Sequence, residues 1–356
     1  MIILLGLLLL IGIIIVIFTN QPSFGRLPRG ERLLRIEKSL NYQNGQFVNL
    51  QPTALMTSGK GRIRTMLDFL LKKPVEDLRP NHPVPAVKID LQTLDRNKEI
   101  LIWFGHSSYL IQTGGKRFLV DPVFIQASPV SFINKPFDGT DIYKPEDMPD
   151  IDYLIISHDH WDHLDYHTVM QLKDRIGKVI CPLGVGEHFE YWSFAPEKLV
   201  ELDWKEQASL ENGFRIYCLP ARHFSGRGLI SNHTLWTSFL LQSPNKKIYI
   251  GGDSGYGDHF AEIGQQFPDI DLAILENGQY NKDWQYIHTI PEYLPQEIKD
   301  LRAKNILTVH HSKYALARHP WNEPLKNAQR LEEDSLNVWI PQIGEIVSLN
   351  NDNPTP

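Results

Sequence analysis

The chain reads as an α/β protein in which two sheets pack face to face, carry helices on their outer faces, and are approached from the N-terminus by an apolar helix. Three observations predict this. Residues 2–18 hold no polar side chain. From residue 99 onward, short apolar runs follow one another at strand length. Helical spacing enters only late in each half of that body, so strands come in runs before helices do. With 356 residues, 42% of them hydrophobic and 22% charged, the composition supports a sizeable core and excludes a disordered chain.

The first element is the apolar run. It approaches the roughly 20 residues that cross a bilayer core of about 30 Å. No basic residue precedes it, and no small-residue cleavage site follows at Thr19-Asn20-Gln21-Pro22, so residues 1–20 read as an uncleaved transmembrane anchor and not as a signal peptide. Arg26, Arg29, Arg32, Arg35 and Lys38 all lie after the run. By the positive-inside rule they place the body of a single-pass protein on the cytoplasmic side. They also let this stretch lie against anionic headgroups, at about 1 kcal/mol per charge. Residues 21–98 carry Pro22, Pro28, Pro52, Pro74, Pro80, Pro83 and Pro85. With only short helical patches such as 62–71, they read as a wrapping segment that needs a body to lean on. A net charge of −6 without a basic stripe excludes nucleic acid as a partner. Cys181 and Cys218 are too few for a disulfide framework and read as reduced, packed thiols.

The body covers residues 99–349. Apolar runs at 100–104, 108–111 and 116–120 surround the turn Thr113-Gly114-Gly115 and start a sheet. Asp121-Pro122 stops the third run, and a proline-punctuated loop leads to a strand at 153–156. Val169, Leu172 and Ile176 then have helical spacing, Gly177 ends it, and 179–181 restarts a strand. Further strands are expected at 215–219, 235–241, 247–250, 272–275 and 306–309, with helices at 260–267, 291–304 and 323–332.

Chemistry enters where the strand at 153–156 ends. Ser157-His158-Asp159-His160-Trp161-Asp162-His163-Leu164-Asp165 packs four ligand residues into six positions, His158, His160, Asp162 and His163. Imidazole and carboxylate suit zinc and neighbouring divalent metals, and four such groups on one loop can face two ions. A dinuclear site needs further donors, and three places supply them directly after apolar strands: His223, Asp253, and the pair His310 and His311. Loops at one edge of a sheet converge, so such residues can meet. Asp253 sits between Gly251-Gly252 and Gly255, which permit close backbone approach, and its two oxygens can serve two ions as a bridge. His106 reads as fixing a strand end. His82, His167, His188, His233, His259 and His319 read as surface or structural, and spacing alone assigns nothing to His288.

The H-x-H-x-D-H run resembles the hallmark of the metallo-β-lactamase superfamily. Within it, the chain looks most like the N-acylphosphatidylethanolamine-hydrolysing phospholipase D family, through Trp103-Phe104-Gly105-His106-Ser107-Ser108, Val120-Asp121-Pro122-Val123-Phe124, Glu201-Leu202-Asp203-Trp204 and Gly251-Gly252-Asp253-Ser254-Gly255-Tyr256. The resemblance covers about residues 99 to 345. It implies a four-layer αββα sandwich with two zinc ions: His158, His160 and His223 on one, Asp162, His163 and His310 on the other, Asp253 bridging. It further implies that His288 approaches the substrate phosphate, which makes Asp162 and His288 the catalytic residues. Two departures stand out. Asp159 replaces an asparagine common in the lipid-hydrolysing family, and His311 competes with His310. An aromatic four residues on, Tyr314, favours His310.

Two divalent ions about 3.5–4 Å apart can ionise a shared water and stabilise charge in an in-line displacement. The reading is therefore a membrane-anchored dinuclear zinc phosphodiesterase acting on an N-acylphosphatidylethanolamine-like lipid. A metal-dependent hydrolase of lactones or other small soluble esters is the alternative, and a tethered binding protein without catalysis is the third reading. Iron or manganese suits the same donors.

Overall fold

In the computed structural model, which describes residues 2–57, 59 and 75–350, the apolar run forms helix α1 (Ile2–Thr19). Its side chains, from Ile3 to Ile17, are exposed on every side. The last carbonyls of a helix lack partners within it; here the Thr19 hydroxyl donates to Ile15 O (2.9 Å) and the Asn20 amide to Val16 O (2.7 Å). Among the described residues no helix is long and apolar enough to cross a membrane. This corrects the expected single-pass anchor over 1–20: at 18 residues and about 1.5 Å per residue, α1 falls short of the bilayer core.

Beyond α1 the chain lies along the body. Helix α2 (Gly30–Ile36) is held by Arg32, whose guanidinium reaches Glu187 (2.6 Å), Glu201 (2.7 Å) and Glu190 (3.0 Å). A fork of five donors suits such multiple carboxylate contacts. A two-stranded ribbon, β1 (Tyr42–Gln43) and β2 (Gln46–Phe47), follows. The helical patch expected at 62–71 lies outside the described residues.

Two seven-stranded sheets follow. Strands β3 (Ile100–Trp103), β4 (Tyr109–Thr113) and β5 (Lys116–Val120) run antiparallel; β6 (Ile151–Ile155), β7 (Ile176–Pro182) and β8 (Leu199–Leu202) continue parallel to β5. Helices α3 (Tyr166–Leu172) and α4 (Gly186–Tyr191) lie in the crossovers of this half. The second sheet repeats the plan. Strands β9 (Gln207–Ser209), β10 (Arg215–Leu219), β11 (Ser238–Gln242) and β12 (Lys247–Ile250) are antiparallel, then β13 (Leu272–Glu276), β14 (Asn305–Val309) and β15 (Val338–Trp339) run parallel to β12. Its helices are α5 (His259–Gln266), α6 (Leu294–Leu301) and α7 (Glu323–Glu333). The final strand, β16 (Ile346–Ser348), returns to the first sheet beside β3, with Val347 opposite Leu101.

Parallel strands buried on both faces read as continuous apolar runs, and side chains alternate between the faces. In β6, Tyr153 and Ile155 enter the core between the sheets, with Trp103, Phe118, Phe239, Ile250, Ile274 and Leu307. Leu154 and Ile156 face the other way, against Val169, Leu172 and Phe189 under α3 and α4. A third cluster, including Phe260, Ile263, Leu294, Ile298 and Leu331, sits under α5, α6 and α7. The layers are therefore helix, sheet, sheet, helix, as the pattern of runs predicts.

Close approach of the loops at one edge depends on missing side chains. A Cβ on Gly278 would lie 2.2 Å from His310 O, so Gly278→Ala is expected to force the β13 and β14 loops apart. Overpacking of this kind costs about 1–3 kcal/mol; a shift of the urea midpoint at constant slope measures it.

Candidate metal centre

The C-terminal ends of β5, β6, β12, β13 and β14 open onto the edge where loops from both sheets meet. In the loop after β6, His158 Nε2 lies 2.9 Å from His160 Nδ1, and His223 Nε2, from the loop after β10, lies 3.2 Å from the same atom. Three ring nitrogens thus face one point. A second group forms beside it from Asp162, His163, His310 and His106, whose ligand atoms lie within 4.8 Å of one another. Asp253, after β12, stands between the two: its Oδ2 is 3.2 Å from His163 Nε2, 3.7 Å from His223 Nε2 and 3.9 Å from His158 Nε2, and its Oδ1 is 3.2 Å from His310 Nδ1.

The other ring atoms are fixed from behind. His163 Nδ1 meets Asp121 Oδ2 at 2.8 Å, and Asp121 also accepts from the Ser157 amide and hydroxyl. His223 Nδ1 is 2.7 Å from Ile287 O, which commits that nitrogen to donating and leaves Nε2 its lone pair. Burial pushes His158, His223 and His310 well below the usual imidazole range, so they are neutral, the form that ligates. His163 is buried too, but Asp253, Asp162 and Asp121 outweigh burial and hold its imidazole up.

These donors fit a metal. His163 Nε2, Asp253 Oδ1 and His106 Nδ1 are buried and make no hydrogen bond, a costly arrangement for polar atoms unless a cation takes their lone pairs. Likewise, only one proton can be shared where the nitrogens of His158, His160 and His223 converge, whereas a divalent ion accepts from all three.

All seven residues expected as ligands are brought together, and His288 joins them with its Nδ1 3.9 Å from Asp253 Oδ2. His311 does not: its ring bonds Thr308 O (3.2 Å) and Ser312 Oγ (2.8 Å), away from the cluster. His106, read from sequence as fixing a strand end, does so through backbone hydrogen bonds to His310 and His311 (both 2.9 Å), and it also places Nε2 3.0 Å from Asp162 Oδ2. Glu276, at the end of β13, was not singled out; its Oε2 holds His288 Nδ1 at 2.8 Å and its Oε1 accepts from Thr289 N at 2.7 Å. Burial pushes its carboxyl up to about 7, against the pull of His288. Asp159 lies outside the ligand set, accepting from His188 Nε2 (3.1 Å), Thr234 Oγ1 (2.8 Å) and Gly226 N (2.7 Å).

The centre lies at the floor of a cleft of about 410 Å³. His160, Asp162, Asp253, His288 and His310 line it together with the apolar side chains of Leu55, Met56, Phe224, Trp284, Ile287 and Leu316. Leu55 and Met56 come from the N-terminal segment, which is held at the rim by Asn49, whose amide donates to His223 O (2.8 Å) and whose carbonyl accepts from His223 N (3.1 Å).

Comparison with known proteins agrees with this geometry. A family described as "Beta-lactamase superfamily domain" matches residues 116–311. An uncharacterised protein of Mycobacterium tuberculosis is 35% identical over 317 residues, covering 87% of this chain and 85% of that protein. The N-acyl-phosphatidylethanolamine-hydrolyzing phospholipase D 1 of Caenorhabditis elegans is 32% identical over 317 residues, covering 84% of this chain and 85% of that one. Among solved structures, a metallo hydrolase from Ignicoccus hospitalis superposes with a TM-score of 0.54 at 21% identity, over 70% of this chain and 97% of that one, a likeness of fold alone.

Proposed function

The chain belongs to the beta-lactamase superfamily and is a metal-dependent hydrolase of it, and from that premise we propose that it is a membrane-attached, dinuclear zinc phosphodiesterase that cleaves N-acylphosphatidylethanolamine-like lipids as a phospholipase D. The observation that carries this is the cleft, which is lined both by donors from the two groups and by apolar side chains. An N-acylated phospholipid has both parts, an anionic phosphodiester and chains that gain by leaving water. The relative from Caenorhabditis elegans, named for this activity, supports the choice of substrate.

His158, His160 and His223 would hold one ion and Asp162, His163 and His310 the other, with Asp253 between them. Two bound divalent ions supply a Lewis acid and lower the pKa of water toward neutrality. The remaining work falls to side chains. Glu276 fixes the His288 ring through Nδ1 and, outweighing burial, raises its pKa. A cationic His288 whose Nε2 is left for a phosphoryl oxygen neutralises charge that develops there. Leu55, Met56 and Trp284 exclude water from the acyl side and orient the headgroup toward the ions. Helix α1, with no polar face, attaches the enzyme to the lipid without spanning it.

The test is product identification. Purified protein incubated with vesicles containing N-acylphosphatidylethanolamine should release N-acylethanolamine and phosphatidic acid. Turnover of a lactone with no turnover of the phosphodiester would overturn the reading. Chelation should abolish turnover, and added zinc should restore it. Chelation should also lower stability, since a ligand at about 100 times its Kd contributes about 2.7 kcal/mol; an unchanged melting temperature on chelation would count against bound metal.

A further inference from the structure

The loop 224–231 connects the cleft to the base of α1. Phe224 and Ser231, at its two ends, line the cleft. Between these ends Leu229 is 84% and Ile230 52% exposed, and both border a neighbouring hollow shared with Thr19 and Asn20 at the end of α1 and with Leu27 further on. The tip is not loosely hung. Arg227 is buried and donates to Ser23 O (2.8 Å), Asp159 O (2.8 Å) and Leu164 O (2.7 Å) while its guanidinium lies 4.1 Å from the Trp161 ring centre. Phe18 of α1 packs edge-on against Phe24 (5.2 Å), and Phe24 against Trp161 (5.0 Å), between His160 and Asp162. The helix base, the loop tip and the metal-binding loop are thus one packed unit.

We propose that residues 228–230 form a second lipid-contacting element, inserting Leu229 and Ile230 into the leaflet that holds α1, so that the cleft opens at the membrane surface and receives its lipid without the lipid leaving the bilayer. The occupant is a bilayer and not a protein, for two reasons. A helix that docks on a protein needs one apolar stripe, whereas α1 is apolar and exposed all round, which suits a solvent of lipid. Arg29, 68% exposed although it lies 3.5 Å from Glu187 Oε1, borders the same hollow and suits anionic headgroups. The proposal rests on the membrane attachment argued above.

The test compares the full chain with a Leu229→Ser, Ile230→Ser variant on phosphatidylcholine vesicles containing phosphatidylglycerol. Vesicle binding, read by co-sedimentation, should weaken by about 10-fold or more in the variant. Turnover of vesicle-borne N-acylphosphatidylethanolamine should fall in parallel, with turnover of soluble bis(4-nitrophenyl) phosphate unchanged. Cys181 and Cys218 are buried, so a Leu229→Cys protein can carry one environment-sensitive dye, whose emission should shift to the blue on vesicles. Equal vesicle binding by both proteins, or a dye that does not shift, overturns the loop contact. If soluble turnover also falls in the serine variant, the dye decides. Failure of the unaltered chain to bind vesicles instead refutes attachment itself, and absence of phosphodiester turnover refutes the substrate reading while the binding and dye results still decide the loop.

Discussion

Asp253→Ala is expected to lower phosphodiester turnover by on the order of 10⁴-fold, the scale on which a single essential catalytic group acts, and to reduce metal content at both positions at once. Asp253 stands between the two donor groups. Its two oxygens lie within 3.9 Å of His158, His163, His223 and His310, which belong to both donor groups. Removing one imidazole leaves a partial set for one ion; removing Asp253 leaves the two groups without a shared anion. Although burial opposes it, the nearby His163 imidazole holds its carboxyl well below the usual range, so it meets a metal already ionised. Asp253→Asn keeps the shape and removes the charge, and should fail nearly as badly. Elemental analysis of the purified variant beside kcat on a phosphodiester makes the measurement. Normal metal content with normal turnover would show that the two groups do not share a bridging carboxylate.

The second large effect is expected at His288 and separates chemistry from metal binding. His288→Gln should reduce kcat by about 10²–10⁴-fold, the range for a positioned proton-handling or charge-stabilising side chain, while the protein keeps its metal. Glu276→Gln removes the charge that faces His288 Nδ1 at 2.8 Å but leaves an acceptor oxygen in place. Its loss should be about 10-fold to 10²-fold, in kcat more than in KM, because Glu276 acts through His288. The double variant should be no worse than His288→Gln alone, and additive losses would mean that Glu276 has a separate role.

The candidate site was legible in sequence to the extent that its residues follow apolar strands. His223, Asp253 and His310 stand within four residues of the ends of β10, β12 and β14, and strands that run the same way deliver their next residues to one edge. Spacing left His310 and His311 open; the left-handed turn at His310 (φ 68°) separates the neighbouring rings. His106 follows β3 by the same rule but was discounted, because Gly105 and His106 both have positive φ and turn the chain in a way that periodicity does not reveal. Glu276 escaped because it is the last residue of an apolar strand and not the first beyond one. The contribution of Leu55 and Met56 to the cleft was invisible for a different reason. Contacts between the N-terminal segment and the body are non-local, and no short-range pattern encodes them. The layered order of strands and helices was readable, whereas the pairing of β16 with β3 was not, since a ladder between distant segments leaves no periodic trace.

That pairing bears on how the molecule comes to be. The edge of the first sheet beside β3 is covered by residues 346–348, so during synthesis Ile100 and Ile102 present an open ladder until those residues, more than 240 positions later, have emerged. An uncovered edge invites pairing with foreign strands. The nascent protein is therefore most prone to misassociation in the interval before β16 arrives, and disrupting only that strand should yield aggregates instead of an orderly product.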